Sequence, residues 1–131
     1  MSTLAKLRPE QVMRHQPPAL LLGTIVESTA TGLACDGIDD GPWRWARLLE
    51  GAAQVAGLLS GLQPGGPGAA AVIGEYRDVT LHARRHDGRV RFHAALDRCI
   101  LGFWRCRVDA RTLDGRLLLS GLVAVAPRAR T

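Results

Sequence analysis

The stretch WRWARLLEGAAQVAGLLSGL, Trp43 to Leu62, decides the fold. It is the longest helical candidate in the chain, and its composition is unusual. After Arg47 its only polar residues are Glu50, Gln54 and Ser60. Gly51, Gly57 and Gly61 each cost a helix interior about 1 kcal/mol against alanine. Such a segment is not helical by propensity, so what packs around it must hold it. A surface helix would carry a polar face, and this one has almost none. Its small residues let a sheet come close. The expectation is a central helix enclosed by strands.

The flanks agree. Asp36–Pro42 (DGIDDGP) is a loop by composition. Pro42 suits a first helical turn, where its missing N–H is no loss. Upstream, Leu20–Ser28 and Leu33–Asp36 read as strands about a turn at Thr29–Gly32. Residues 1–14 form an N-terminal segment with at most a short helix at Pro9–Arg14, and Pro17-Pro18 enforces an extended entry. Downstream, Gln63–Gly68 (QPGGPG) ends the helix. Four strand-like runs follow: Ala70–Leu81, Arg89–Arg98, Leu101–Arg111 and Arg116–Val125. His86-Asp87-Gly88 and Leu113-Asp114-Gly115 are turn signals. Residues Arg89 to Ala94 alternate as a strand with one wet face does. The order implies an α+β fold, not βαβ. An antiparallel sheet of about six strands would wrap one long central helix. One domain would fill residues 1–131, with a frayed tail at 127–131.

Composition narrows the class. The chain has 131 residues, 47% hydrophobic and 22% charged, which suits a globular domain and argues against disorder. Aromatics at 5% are too few for base-stacking platforms. The formal charge is +5, with most arginines from Arg77 onward. A basic surface attracts polyanions: nucleic acid, anionic lipid or an acidic carrier protein. No Lys/Arg block is long enough for a nucleic-acid tail, so nucleic acid is not expected. No run approaches the ~20 apolar residues of a membrane span, so a membrane is not expected either. Cys35, Cys99 and Cys106 are odd in number and lack CxxC or zinc spacing. They read as free thiols, and the chain as cytoplasmic. Asp36, Asp39 and Asp40 lack the spacing and closing Glu of a calcium loop, so no metal is expected.

His15-Gln16-Pro17-Pro18-Ala19-Leu20-Leu21-Leu22 resembles the opening "PHR-x-P-x-LLLD" of FabZ-like 3-hydroxyacyl-acyl-carrier-protein dehydratases. Leu48-Leu49-Glu50-Gly51-Ala52-Ala53-Gln54 resembles the "E-x-x-A-Q" segment that opens their central helix. Ile73–Arg77 is similar to the strand that follows, and Leu101–Val125 to the terminal hairpin. The resemblance covers about residues 10–126. It is strongest to the dehydratase-like proteins of aryl polyene and related polyketide clusters, which carry a loop like Asp40–Trp45 ahead of the helix. It implies a hotdog fold, an acyl-thioester substrate on an acyl-carrier protein or CoA, and no cofactor. It also implies a homodimer or larger even oligomer, which a second hotdog subunit could join. One departure is chemical. The family's catalytic His stands fourteen residues before the helix Glu, and Asp36 stands there in this chain.

The resemblance puts Glu50 at the catalytic position, where burial would raise its pKa towards that of a general acid. The alternative is a structural carboxylate paired with Arg44 or Arg47 at the helix start. Gln54, four residues on, would orient Glu50, bind substrate, or make a structural hydrogen bond. Asp36, Asp39 and Asp40 are substitute bases or solvated loop acids. The Gly41 backbone N–H could polarise a thioester carbonyl. Trp43 and Trp45 would wall an acyl tunnel or fill the core. His15 reads as structural or tunnel-lining. Of His82, His86 and His93, only His93 is a candidate for the missing base. Three functions follow: a dehydratase, a hotdog thioesterase in which Glu50 activates water or attacks the thioester, or a non-catalytic subunit of an active dehydratase.

Overall fold

Strands β1 (Leu22–Ser28) and β2 (Gly32–Gly37) form an antiparallel hairpin around the Thr29–Gly32 turn, where the Thr29 N–H donates to the Gly32 carbonyl at 2.9 Å. The computed structural model describes residues 20–66 and 71–127, with Pro9 besides. The expectations for the N-terminal segment, His15, Pro17-Pro18 and residues 128–131 lie outside the described residues. After the loop come the two-residue strand β3 (Trp43–Arg44) and the helix α1 (Trp45–Gly61). Then follow β4 (Ala71–Leu81), β5 (Arg85–His86), β6 (Val90–Ile100), β7 (Phe103–Thr112) and β8 (Leu117–Pro127).

The main sheet has six antiparallel strands in the order β1-β2-β6-β7-β8-β4. The strand that follows the helix therefore lies at the far edge, and the first hairpin lies at the other. α1 packs on one face of this curled sheet, as the apolar helix required. Leu48, Ala52, Val55, Leu58 and Leu59 are all at most 1% exposed and meet Phe92, Cys106, Val108 and Val123 of the strands. Gly51 explains why helix-weakening glycine is tolerated. A Cβ there would stand 2.3 Å from the Phe92 ring, so only glycine lets that ring lie under the helix. Gly37 does the same for the Trp43 indole, at 2.5 Å.

Three elements differ from the sequence reading. The helix starts at Trp45 rather than Trp43, because Trp43 and Arg44 pair as a strand with His86 and Arg85. His86 accordingly belongs to β5 rather than to a turn, and Asp87-Gly88 does not close a hairpin between β4 and β6. β6 also runs on to Ile100, so Leu101-Gly102 forms the turn into β7 rather than the start of that strand.

The cysteines are free, and two are buried. Burial, reinforced by the neighbouring Asp36 charge, pushes the Cys35 thiol up to about 12. Burial also raises Cys106, against an opposing contact from the Ser60 hydroxyl at 3.6 Å. Cys99 is exposed.

Candidate functional site

Glu50 lies in the second turn of α1, on the helix side that the sheet leaves open. The sequence reading expected a buried carboxylate, yet in the single chain Glu50 is exposed. The reason is topological: β4 ends the sheet, and among the described residues no strand lies beyond it. Gln54 is 2% exposed and links two groups. Its Nε2 donates to Glu50 Oε1 at 3.3 Å, and its Oε1 accepts the Leu21 N–H at 2.8 Å. The backbone just ahead of β1 thus holds the amide that orients the carboxylate. Tyr76 of β4 adds a phenol that the sequence did not single out. Its pKa is raised above the ordinary tyrosine value, chiefly by burial and further by the Glu50 charge. It therefore stays protonated through neutral pH and can act as a hydrogen-bond donor. Tyr76 and Glu50 are 26 residues apart, and nothing in a strand pattern announces that the charge of one reaches the other.

The loop ahead of the helix is held by Arg47, not by Glu50. Arg47 Nη1 donates to the carbonyls of Gly41 at 3.2 Å and Pro42 at 3.3 Å. Its Nη2 reaches the Ile38 carbonyl at 3.5 Å and pairs with Asp40. The guanidinium also lies 3.9 Å from the centre of the Trp43 ring. This stacking and fork geometry is specific to arginine. Gly41 thus enters through its carbonyl, as a fixed point of the loop. Asp39 and Asp40 are exposed there. Trp43 is fully buried and meets Phe92 edge to face at 5.2 Å, so it belongs to the core. Its indole N–H has no partner among the described residues. Trp45, one turn ahead of Glu50, is 57% exposed.

The other candidates lie elsewhere. Asp36 accepts Arg91 Nε at 2.8 Å and has Arg89 Nη2 at 3.6 Å, so its carboxylate is tied to two guanidiniums. His93 alternates with the buried Phe92 and Ala94, so it points to the sheet face away from α1, where Nδ1 meets Asp109 Oδ1 at 2.9 Å. The sheet separates it from Glu50. His82 meets the Ser120 hydroxyl at 3.2 Å, and His86 Nδ1 accepts from Arg116 at 3.3 Å. Among the described residues no three His, Cys, Asp or Glu side chains come together as a metal site.

The arginines also divide. Arg44 and Arg85 face each other across β3–β5, with Arg84 adjacent and Arg116 beside His86, near the helix start. Arg77 pairs with Glu75 on the edge strand, at 3.0 Å.

No protein-family model and no curated relative matches the chain. Solved structures do. A chain of the dehydratase heterocomplex ApeI:P from Xenorhabdus doucetiae superposes with a TM-score of 0.80 at 15% identity, over 95% of this chain and 93% of that one. A protein of the thioesterase superfamily gives 0.75 at 16% identity, over 97% and 100%. A hypothetical thioesterase with coenzyme A from Streptococcus pneumoniae gives 0.61 at 13%, over 80% and 87%. The chain has the hotdog fold. In hotdog terms α1 is the central helix, and Glu50 stands on the side of it that the sheet leaves uncovered.

Proposed function

We propose that this hotdog protein is a FabZ-like dehydratase acting on 3-hydroxyacyl thioesters carried by an acyl-carrier protein or CoA. One observation carries the reading: Glu50 is the only carboxylate of α1, it is exposed at the open edge, and the buried Gln54 amide orients it. In the reaction Glu50 gives its proton to the departing 3-hydroxyl as the C–O bond breaks. A base removes the α-proton, and its electron pair forms the C=C bond conjugated to the thioester. Water and an enoyl thioester leave. The experiment follows 3-hydroxybutyryl- and crotonyl-thioesters for enoyl absorbance and for free thiol. Interconversion without thiol supports dehydration. Thiol release without an enoyl species means a thioesterase.

A second reading, a non-catalytic subunit beside an active dehydratase, is favoured by Asp36. At the position of the family's His stands a carboxylate locked by Arg91 and Arg89. Inertness of the isolated chain toward both substrates is the outcome that supports it.

The site is completed by a second copy pairing along β4. Ile73, Tyr76, Val79 and Leu81 on this edge are 37–40% exposed. An unpaired strand edge seeks another. Pairing there would cover Glu50 and shut water out of the site. A dimer is expected in analytical ultracentrifugation at micromolar concentration; a monomer refutes the shared site.

The carrier would dock at the basic end, on Arg44, Arg84, Arg85 and Arg116. Arginine forks fit the phosphate of a phosphopantetheine arm. Exposed charges are screened over ~10 Å at 0.1 M salt. Binding of an acidic carrier is therefore expected to weaken as salt rises and on reversal of Arg84 and Arg85 to glutamate. Indifference to both removes this surface, and salt-sensitive binding to DNA alone replaces it with a nucleic-acid role.

A further inference from the structure

The β6–β7 hairpin ends in a feature that the fold does not need. Ile100 and Phe103 are a cross-strand pair, and Leu101-Gly102 is the two-residue loop between them. Both loop residues have positive φ, 52° and 83°, as in a type I′ turn. Asn, Asp or Gly is the ordinary residue at the first position, since a side chain with a bulky Cγ is strained in the left-handed region. Leucine is therefore disfavoured there by the backbone. It is disfavoured again by solvent, because Leu101 is 93% exposed, with Ile100 at 49% and Phe103 at 51% beside it. Apolar residues held at a projecting tip against both preferences point to a partner phase that receives them.

The surroundings say which phase. Arg98 is exposed next to the tip, and Arg105 and Arg107 follow on β7. Arg105 and Arg107 share one carboxylate, Asp97, at 2.7 and 3.1 Å. The collar thus holds three guanidiniums against one carboxylate. Arg107 is 73% exposed, and its long stem lets the charge reach a headgroup while apolar neighbours go deeper. The tip is a knob, not a groove. A Cβ on Gly102 would touch nothing within 4 Å. A protein partner must offer a pocket shaped to such a knob, whereas a bilayer closes around it unaided.

We propose that the β6–β7 tip is a membrane-surface anchor for anionic phospholipid bilayers. Ile100, Leu101 and Phe103 enter the interface, and Arg98, Arg105 and Arg107 meet the headgroups. Among the described residues no helix is long and apolar enough to cross a membrane, and surface anchoring needs none. The expectation of no membrane partner rested on the lack of a span, and does not bear on a tip of this kind.

The test is co-sedimentation of the full chain with vesicles of phosphatidylcholine alone and with added phosphatidylglycerol. Binding to the anionic vesicles is expected to exceed binding to the neutral ones. Leu101→Asn suits the same turn, so it should melt at the parent's temperature or above it. It should bind anionic vesicles at least about tenfold more weakly, the worth of one buried leucine. Arg98→Glu should weaken binding to anionic vesicles and leave the melting temperature in place. Failure of the parent to pellet with anionic vesicles overturns the proposal, and so does equal binding by Leu101→Asn. Loss of self-association in Leu101→Asn with vesicle binding intact also overturns it, and makes the tip a contact between copies of the chain.

Discussion

The Glu50→Gln protein is expected to fold as the parent does and to dehydrate a 3-hydroxyacyl thioester about 10²–10⁴-fold more slowly. Glutamine keeps the size of the side chain and can still hydrogen-bond to Gln54, whose Nε2 lies 3.3 Å from Glu50 Oε1. It loses only the proton that the leaving hydroxyl needs. A general-acid role therefore predicts a fall in kcat with the melting temperature held. Retained turnover in Glu50→Gln would leave the carboxylate a structural role. Tyr76→Phe refines the comparison, because the Glu50 charge reaches the phenol, whose raised pKa keeps it a donor at neutral pH. A positioning phenol predicts a smaller fall than Glu50→Gln, together with a shift in the acidic limb of the pH–rate profile.

Gly51→Ala is expected to reverse the helix-propensity rule. In an ordinary helix interior this change stabilises by about 1 kcal/mol. Here the new methyl would stand 2.3–2.9 Å from three carbons of the Phe92 ring. That ring is fully buried and wedged against Trp43, which is itself pressed on Gly37, so it has nowhere to retreat. Overpacking of a dense core costs roughly 1–3 kcal/mol, enough to outweigh the propensity gain. Thermal melting should show a clear loss of stability. The double variant Gly51→Ala/Phe92→Leu should recover part of it, with a coupling of roughly 0.5–3 kcal/mol expected between touching residues. A Gly51→Ala chain as stable as the parent would mean that the helix does not sit this close to the sheet.

The wrapped helix was legible because its reason is local. A long apolar segment carrying three glycines has few ways to be stable except inside a sheet, and Phe92 under Gly51 shows how that works. The Asp114-Gly115 turn was legible for a like reason, since Gly115 takes a φ of 93°. One misreading came from a pairing between distant residues and another from an unusual turn residue. Pro42-Trp43 looks like a helix entry until Arg85-His86 arrives from the far side of β4 to make Trp43-Arg44 a strand. Leu101 looks like a strand residue because leucine is not a turn former, and only its φ reveals the turn. The candidate site divides in the same way. Glu50 and Gln54 were found together because one helical turn links them. Tyr76 was missed because its neighbourhood is made by sheet order. The open position of Glu50 was missed too, because sequence periodicity does not say where a sheet stops.

Both margins of the sheet are irregular. β4 slips register between Ile73 and Glu75 and again between Arg77 and Thr80, with Asp78 in the left-handed region. Gly121 opposite leaves room for Val79, whose Cα would lie 3.1 Å from a Cβ there. β1 slips twice as well, between Leu22 and Thr24 and between Ile25 and Glu27. A molecule with two regular margins could add copies head to tail, β1 onto β4, without limit, and a filament would result. Bulges twist a margin away from such stacking. The kinked β1, with Glu27 exposed on it, is a poor template for β4. Open-ended stacking of β1 on β4 is thereby disfavoured, and the proposed pairing of two copies along β4 would close the assembly rather than extend it.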